Sequence, residues 1–228
     1  MPILLGFGVI TLVISPAYPR YEYAKKNFPP DPYGFTQAQR LELALVSVAY
    51  LESWDSAEST IHMLQDQTLP GSDRPLFNER EIGHMLDVKV VTDAIRRIML
   101  GALGVVGVAL ALLLTNPATR EAGYAAIWRG GLTTVMILLF IVGFIVLGWS
   151  VFFVQFHELL FSAGTWTFNL SDGLIRLYPE KFFFDVGVIM SVGSLLAGAV
   201  VAAVGYWLRR RATAGLAKQR VTPSTAGR

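Results

Sequence analysis

Two of the three histidines in this chain, His84 and His157, lie in apolar helical patterns beside long hydrophobic segments. The ordinary pKa of an imidazole is close to neutrality, and burial or a nearby charge shifts it readily. Two buried imidazoles on the same side of a membrane could therefore take a proton from one part of a substrate and supply one to another part. His62 has no comparable surroundings, and we assign it no functional role.

His84 belongs to a segment predicted to form a helix from about Glu79, because Asn78 and Glu81 form a capping-box pattern. On a helical wheel, His84 lies on an apolar stripe with Val88, Val91, Ile95 and Ile98. Glu81 and Asp87 lie at the two edges of this stripe, so either carboxylate could orient the imidazole. The opposite side of the helix carries Lys89, Asp93 and Arg96.

His157 lies one helical turn after Phe153 and one turn before Phe161, which predicts an imidazole between two aromatic rings at the bilayer surface. We expect Phe153, Phe161 and Trp166 to contact substrate or lipid. The adjacent Glu158 projects about 100° away around the helix and is a poor partner for the ring.

Further polar candidates lie in the segment AGTWTFNLSDGLIRLYPEKF. Asp172 and Arg176 could form a salt bridge at the start of a helix, or they could hold a catalytic histidine. Candidates for stabilising an oxyanion are Arg176, Tyr178 and the backbone amides near Gly164 or Gly173.

Hydrophobic residues make up 53% of the 228 positions and are concentrated in long blocks, which indicates an integral membrane protein. Four blocks are candidates to cross about 30 Å of hydrocarbon: residues 2–17, 98–114, 132–153 and 186–208. The first block is short, and the tyrosines that follow it are typical of an interfacial belt. A cleaved signal peptide is the alternative for this block, but no basic stretch precedes its apolar run.

The distribution of Lys and Arg predicts the orientation. The tail, residues 209–228, is basic and has no acidic residue, which places it in the cytoplasm. Four spans then place the amino terminus and residues 115–131 in the cytoplasm, and they leave residues 18–97 and 154–185 outside. We predict an all-α integral membrane protein with a single domain over residues 1–228. Its four transmembrane helices carry a helical extracytoplasmic cap formed by the first and third loops.

Within the first outer loop, Thr36 and Gln39 form another capping-box pattern. An apolar-periodic run follows, with Leu41, Leu45, Val48 and Leu51. We predict an amphipathic helix here, lying on the membrane or on the spans.

Several function classes lack support. Cysteine is absent, which excludes disulfides, thiolate nucleophiles and thiolate metal sites. The sequence has no serine-nucleophile elbow, no zinc-protease helix, no P-loop and no dinucleotide fingerprint, and no basic and aromatic stripe suggests nucleic acid. We expect no cofactor and no metal.

Two alternatives stay open. His84, His157 and a carboxylate could together hold zinc, which would make the protein a metal-dependent membrane hydrolase acting on lipid or peptide. A non-enzymatic membrane partner protein is the other alternative, although the predicted spans contain no charged residue of the kind that marks a transport path.

The segments FNEREIGHMLDVK and FHELLFSAGTWTFNLSDGLIRLYPEKFF, on a four-span protein with outward loops of these sizes, resemble the bacterial lipoprotein intramolecular transacylases, the Lit family. The resemblance covers nearly the whole chain in layout, and the two histidine motifs are its specific part. It implies a reaction in the outer leaflet on the diacylated amino-terminal cysteine of a mature lipoprotein. The sn-2 acyl chain moves from its glycerol ester to the α-amino group of the cysteine, giving a lyso-form lipoprotein.

The resemblance also implies that His84 and His157 are the catalytic pair, and that the partners are a diacylated lipoprotein and membrane lipid. Because ester and amine belong to one molecule, no acyl-enzyme is needed. We expect His84, oriented by Asp87 or Glu81, to deprotonate the α-ammonium, and His157 to polarise the ester or protonate the leaving glycerol oxygen. The two roles could be exchanged. We expect the chain to act as a monomer.

Helix dimensions add a geometric constraint. If residues 79–98 extended the second span as one straight helix, His84 would lie about 20 Å from the hydrocarbon, whereas His157 would lie within about one turn of it. The two imidazoles could not then cooperate. We therefore predict a bend near Asp93–Ile98 that buries Val88, Val91 and Ile95.

Overall fold

The computed structural model describes the backbone of residues 1–221 and the side chains of residues 1–214, and within this part of the chain all regular structure is α-helical. The helices are α1 (Pro2–Val13), α2 (Ala17–Tyr23), α3 (Gln37–Glu52), α4 (Ala57–Thr60), α5 (His62–Gln65), α6 (Glu79–Thr115), α7 (Arg120–Leu147), α8 (Trp149–Leu160), α9 (Gly173–Leu177) and α10 (Glu180–Val221). The all-α prediction is confirmed. Residues 222–228 of the predicted cytoplasmic tail lie outside the described residues.

Three helices, α6, α7 and α10, are long and apolar enough to cross a membrane. The pair α1 and α2 becomes a fourth candidate if the two are taken as one span bent by 62°. The structure therefore has three or four candidate spans, as the hydrophobic blocks of the sequence predict.

The first predicted span, residues 2–17, is not one helix, because the chain bends between α1 and α2. Pro16 has no N–H to donate to the carbonyl oxygen of Leu12. The hydroxyl of Ser15 donates to that oxygen instead, at 2.6 Å. The helix therefore ends before the proline and resumes in a new direction.

The third predicted span, residues 132–153, is also interrupted. Helix α7 ends at Leu147, and α8 begins at Trp149 after Gly148. Glycine has a low helix propensity, which favours a break at this position. As a result, His157 is carried by a separate short helix rather than by the end of a span.

The described chain forms two compact units. One unit comprises residues 1–6, 99–142 and those from 191 onward. In this unit α7 and α10 approach closely at glycines: a Cβ added to Gly131 would lie 2.4 Å from the backbone nitrogen of Ala202, and one added to Gly205 would lie 2.4 Å from that of Trp128. Small residues permit this kind of backbone contact between membrane helices.

The other unit comprises residues 7–98 and 143–190 and contains both histidines of interest. Its short helices bury their own hydrophobic cores, and α3 packs against α2, α5 and α9. The larger core cluster consists of Tyr50, Ile61, Leu64, Leu76, Phe77, Met85, Leu174 and Leu177. Helix α3 thus packs within this unit, and its contacts with α6, among them the hydrogen bond from the Tyr50 hydroxyl to the Met85 carbonyl oxygen, agree with the predicted alternative in which it lies on a spanning helix.

Both predicted capping boxes are present. The Thr36 hydroxyl accepts the backbone N–H of Gln39, whose side chain accepts the N–H of Thr36 in return. At the start of α6, the side chain of Asn78 accepts the N–H of Glu81 at 3.1 Å, and the Glu81 carboxylate accepts the N–H of Asn78 at 2.8 Å. These reciprocal bonds satisfy backbone donors that a helix leaves free at its first turn.

Helix α6 runs unbroken through the predicted bend at Asp93–Ile98. Its buried residues are Glu81, Met85, Lys89 and Thr92. Val88, Val91 and Ile95, for which the sequence predicts burial, are each half-buried by the protein itself. The helix instead buries the side that carries Lys89.

The burial of this polar side has a specific cause. The Lys89 ammonium, which is fully buried, donates to the carbonyl oxygen of Ser53 at 2.7 Å and to the Asp93 carboxylate at 3.1 Å. The Arg96 guanidinium donates to the carbonyl oxygens of Leu51 and Ser53 at 3.0 and 3.1 Å. These carbonyls lie at the carboxyl end of α3, where a helix has free acceptors and favours positive charge. The two cations thus attach α3 to α6.

Candidate active site

The rings of His84 and His157 lie 6.4 Å apart between centroids, with an angle of 25° between their planes. Helix α6 positions the first ring and α8 the second. The two rings meet although α6 is unbroken. The break at Gly148 permits this, because it places His157 on a short helix separate from α7. The structure therefore brings together the two histidines that the sequence singled out.

Aromatic side chains surround the pair. The Phe161 ring lies 4.9 Å from the His84 ring and 5.6 Å from the His157 ring. The rings of Phe153 and Trp166 lie 4.1 and 5.0 Å from that of His157. All three aromatic residues expected to contact the substrate or lipid thus line the imidazoles. Such a lining favours neutral groups and acyl chains over free ions.

The Nδ1 of His157 lies 2.7 Å from the carbonyl oxygen of Phe153, one turn earlier in α8. A carbonyl oxygen can only accept a hydrogen bond, so Nδ1 must carry the proton. In the neutral imidazole, Nε2 is then the nitrogen with the free lone pair. His157 is therefore held in the tautomer that can accept a proton at Nε2.

The Nδ1 atom of His84, by contrast, is buried and forms no hydrogen bond, so no backbone carbonyl fixes the tautomer of this ring. The two carboxylates expected to orient it do not do so. Both oxygens of Glu81 accept backbone N–H groups, from Asn78 at 2.8 Å and from Leu174 at 2.7 Å, which makes Glu81 a link between α6 and α9. Asp87 is exposed and forms no hydrogen bond with the imidazole.

Burial, together with a smaller effect of the nearby imidazole of His157, lowers the pKa of His84 to about 4. Burial also lowers the pKa of His157, although its hydrogen bond to the Phe153 carbonyl opposes the shift. Desolvation disfavours the charged form of a base. Both rings, which lie outside the proposed spanning segments, are therefore neutral at physiological pH.

The other predicted supporting residues lie away from the rings. Asp172 does not pair with Arg176, since its carboxylate accepts the N–H of Asn169 at 2.8 Å and pairs with Arg80 at 3.3 Å. The Arg176 guanidinium forms a buried salt bridge with Asp31 at 2.9 Å. Neither residue holds an imidazole, so both alternatives weighed for this pair are wrong.

Two of the predicted oxyanion donors are also occupied elsewhere. The Tyr178 hydroxyl donates to the carbonyl oxygen of Ala44 at 2.9 Å. The backbone N–H of Leu174, next to Gly173, donates to the Glu81 carboxylate at 2.7 Å. These residues stabilise the packing of α9 and do not reach the histidines.

The sequence did not single out Phe168, whose ring lies beside an imidazole, or Arg80, which lies over the Phe168 ring. The Phe168 ring is 5.3 Å from that of His84, and the Arg80 guanidinium lies over Phe168 at 5.6 Å. Arg80 precedes His84 by one turn of α6 and so shares its face, a spacing that was available in the sequence. Nothing in the sequence placed Phe168 on this ring, because a loop brings it there.

A zinc site built on the two histidines would need a third ligand. Within the described residues, no group of three histidine, aspartate or glutamate side chains is arranged to hold a metal ion. The carboxylate of Glu81, three residues before His84, accepts two backbone N–H groups, and that of Glu158, next to His157, accepts the side-chain amide of Gln155. The residues present therefore do not form the three-ligand site of the hydrolase alternative.

The chain is similar to several known proteins. An uncharacterised protein of Aquifex aeolicus (strain VF5) is 29% identical over 194 residues, which cover 85% of this chain and 84% of the relative. The fold is similar to that of the membrane integral lipoprotein intramolecular transacylase Lit from Bacillus cereus, with a TM-score of 0.71, 19% identity, and coverage of 97% of this chain and 94% of that one. A variant of the same Bacillus cereus protein, with a histidine replaced by alanine, matches with a TM-score of 0.59 and 19% identity over 97% of this chain and 94% of the variant.

The sequence model described as lipoprotein intramolecular transacylase Lit matches residues 1–183, which is most of the chain. The two histidine motifs and their aromatic surroundings all lie within these residues. The chain therefore belongs to the lipoprotein intramolecular transacylase (Lit) family.

Proposed function

We propose that this membrane transacylase moves the sn-2 acyl chain of a diacylated lipoprotein from its glycerol ester to the α-amino group of the amino-terminal cysteine. The observation that carries this proposal is the pair of half-buried, neutral imidazoles 6.4 Å apart in an aromatic pocket. Such a pair can move protons while the substrate supplies both the nucleophile and the ester.

His157 is the general base in this scheme. Its Nδ1 donates to the Phe153 carbonyl, which leaves Nε2 free to accept the proton that the amine loses. The substrate α-ammonium has an ordinary pKa of about 8, so a usable fraction is neutral at physiological pH. This assignment exchanges the roles that the sequence favoured, because the backbone fixes the tautomer of His157 and no carboxylate orients His84.

His84 acts as a neutral hydrogen-bond donor to the ester. An imidazole with a pKa of about 4 holds almost no proton charge near pH 7, so it cannot deliver a full proton as an imidazolium. A neutral imidazole can still polarise a carbonyl or stabilise a leaving oxygen through its remaining N–H. Because the His84 ring lies opposite that of His157, its N–H can donate to the ester whose carbon–oxygen bond breaks.

His157 alone then accepts and releases the proton that moves during the reaction. The nitrogen–carbon bond forms as Nε2 of His157 takes the amine proton, and the same proton passes to the glycerol oxygen as the carbon–oxygen bond breaks. Because nucleophile and ester are joined, the effective molarity can reach about 10⁵ M, which removes the need for a covalent acyl-enzyme. The product is an N-acyl, S-monoacylglyceryl lipoprotein, the lyso-form.

The site is proposed to face the outer leaflet. Four membrane crossings, by the bent pair α1 and α2 and by α6, α7 and α10, with both termini and residues 115–131 in the cytoplasm, leave both histidine segments outside. The Arg residues after the last span support this orientation. A diacylated substrate would then reach the aromatic pocket from the lipid surface, and the protein would act as a monomer.

The test uses purified protein in lipid vesicles with a synthetic lipopeptide that carries an S-diacylglyceryl cysteine at its amino terminus. Because the transfer is intramolecular, product and substrate have the same mass, and tandem mass spectrometry must locate the acyl group. We expect the acyl group on the amino-terminal fragment. Release of free fatty acid with no N-acylated peptide would instead indicate a hydrolase. Lipopeptide left unchanged would support the non-enzymatic alternative.

A further inference from the structure

The indole N–H of Trp166 is a buried hydrogen-bond donor with no partner. Among the described side chains four buried polar atoms lack a partner, and two of them, Trp166 Nε1 and His84 Nδ1, belong to the histidine site. Buried donors in folded proteins are nearly always paired, so an unpaired one beside reactive groups indicates an acceptor supplied by a ligand.

A tight turn places this indole. After α8 ends at Leu160, both the backbone N–H and the hydroxyl of Thr165 donate to the carbonyl oxygen of Ser162, at 3.2 and 2.8 Å. Gly164 lies within the turn with a φ of +81°, a conformation that favours glycine. The turn returns the chain to α8 and places the Trp166 ring 5.0 Å from the ring of His157.

We propose that Trp166 is a catalytic residue whose Nε1–H donates to the carbonyl oxygen of the substrate ester and stabilises the oxyanion of the tetrahedral intermediate. This inference rests on the proposed acyl transfer. When the amine nitrogen bonds to the carbonyl carbon, the carbonyl π electrons move to this oxygen, and the resulting oxyanion accepts a hydrogen bond from the indole N–H. When the intermediate collapses, the electrons return and the glycerol oxygen leaves with the proton held by His157. Trp166 keeps its own proton throughout.

The electrostatics of the pocket favour this role. The ester is uncharged before the reaction, and its carbonyl oxygen becomes negative only in the intermediate. A fixed donor in an aromatic, water-poor site stabilises that charge far more than it stabilises the neutral ester. The donors expected from the sequence do not compete, since Arg176 pairs with Asp31 and Tyr178 bonds to Ala44.

The test replaces Trp166 with phenylalanine, which retains an aromatic ring against His157 and removes the N–H. A second variant carries β-(3-benzothienyl)alanine at position 166, in which sulfur replaces the indole N–H while the bicyclic shape is preserved. We expect kcat for the lipopeptide to fall about 10²- to 10³-fold in both variants, with KM nearly unchanged. The matched control is Trp54→Phe, which removes an indole N–H from an exposed side chain elsewhere.

A second measurement separates transition-state stabilisation from packing. A lipopeptide with a phosphonate in place of the sn-2 ester presents a tetrahedral anion where the oxyanion forms. Its affinity should fall by a factor similar to the loss in kcat for the benzothienyl variant, and it should be unchanged in Trp54→Phe. A kcat within about threefold of the wild type in the benzothienyl variant would overturn the role of Trp166. Wild type and Trp54→Phe that both fail to produce N-acyl lipopeptide would instead overturn the proposed function.

Discussion

His157 donates its Nδ1 hydrogen to the backbone carbonyl oxygen of Phe153 at 2.7 Å, within the same helix. Because the acceptor belongs to the backbone, the tautomer of this histidine is set by the geometry of α8 rather than by a neighbouring side chain. The bond directs the basic nitrogen, Nε2, away from the helix backbone. It is the strongest structural reason for assigning His157, rather than His84, as the base.

Replacing His157 with glutamine should reduce the transacylation rate by about 10²- to 10⁴-fold, the range that a general base contributes. Glutamine is neutral and polar but cannot accept the amine proton near pH 7. The variant should still insert in the membrane, because the ring is held mainly by aromatic contacts. Initial rates with the synthetic lipopeptide in vesicles measure the loss.

The matched control for this variant is His62→Gln. His62 is an exposed histidine whose Nδ1 contacts only the Ser59 carbonyl, at 3.0 Å. This control should react at the wild-type rate. A His157→Gln rate within about threefold of the control would show that the base is another group.

The lowered pKa of His157 should be visible in the pH dependence of kcat. A base works in its unprotonated form, so kcat should be constant at higher pH and should fall as the pH drops through the pKa of His157. Since burial lowers that pKa, the midpoint should lie below the ordinary histidine value of about 6.5. Saturating lipopeptide is required, because kcat/KM also reports the substrate amine, with a pKa of about 8. A midpoint near 8 for kcat would indicate that deprotonation of the bound amine controls the rate.

The sequence predicted the helix starts and singled out His84 and His157, which the structure brings together, because these depend on local patterns: two capping boxes, and histidines in apolar helical patterns. The sequence did not predict which side of α6 packs against the rest of the protein. A helical wheel assigns Lys89 and Arg96 to a polar side, and polar sides are usually solvated. Here Lys89 is buried and Arg96 is half-buried, because both bind carbonyl oxygens at the end of α3, and that contact depends on a distant segment.

Contacts with distant segments also explain why the sequence assigned the wrong partners to Glu81, Asp172 and Arg176. Spacing along α6 places Glu81 near His84, but the carboxylate turns toward the amide of Leu174, which is far away in the chain. Spacing likewise suggests a pair between Asp172 and Arg176, whereas each finds a partner from another segment. Competing partners brought in by tertiary structure cannot be identified from local periodicity.

The structural role of Glu81 can be separated from a role in orienting His84. Glu81→Ala leaves the N–H groups of Asn78 and Leu174 without their acceptor, and this should destabilise the fold by about 1–3 kcal/mol. Glu81→Gln keeps a carbonyl acceptor for one of them and should lose less. Thermal unfolding in detergent measures both variants. If Glu81 instead oriented His84, Glu81→Gln would lose much of its kcat while keeping its stability.

The buried pair of Arg176 and Asp31 should be essential to the stability of this unit. Its carboxylate is fully buried and its guanidinium 9% exposed, so Arg176→Met leaves an uncompensated buried charge. The expected cost is about 3–5 kcal/mol. The double variant Asp31→Leu with Arg176→Met removes both charges and should recover part of that loss. A single variant as stable as the wild type would contradict the burial of this pair.

Protonation of His84 should link stability to pH. The pKa of His84 is about 4 in the folded protein and about 6.5 in an unfolded chain, so between these values the unfolded chain binds more protons. The contribution of His84 is therefore fully present above about pH 6.5 and is lost as the pH falls toward 4, by an amount on the order of 3 kcal/mol. Because buried carboxylates also titrate in this range, the measurement compares wild type with His84→Gln. The melting temperature of the wild type should fall more steeply between about pH 7 and pH 4.5, and parallel curves would show that His84 is not buried in its neutral form.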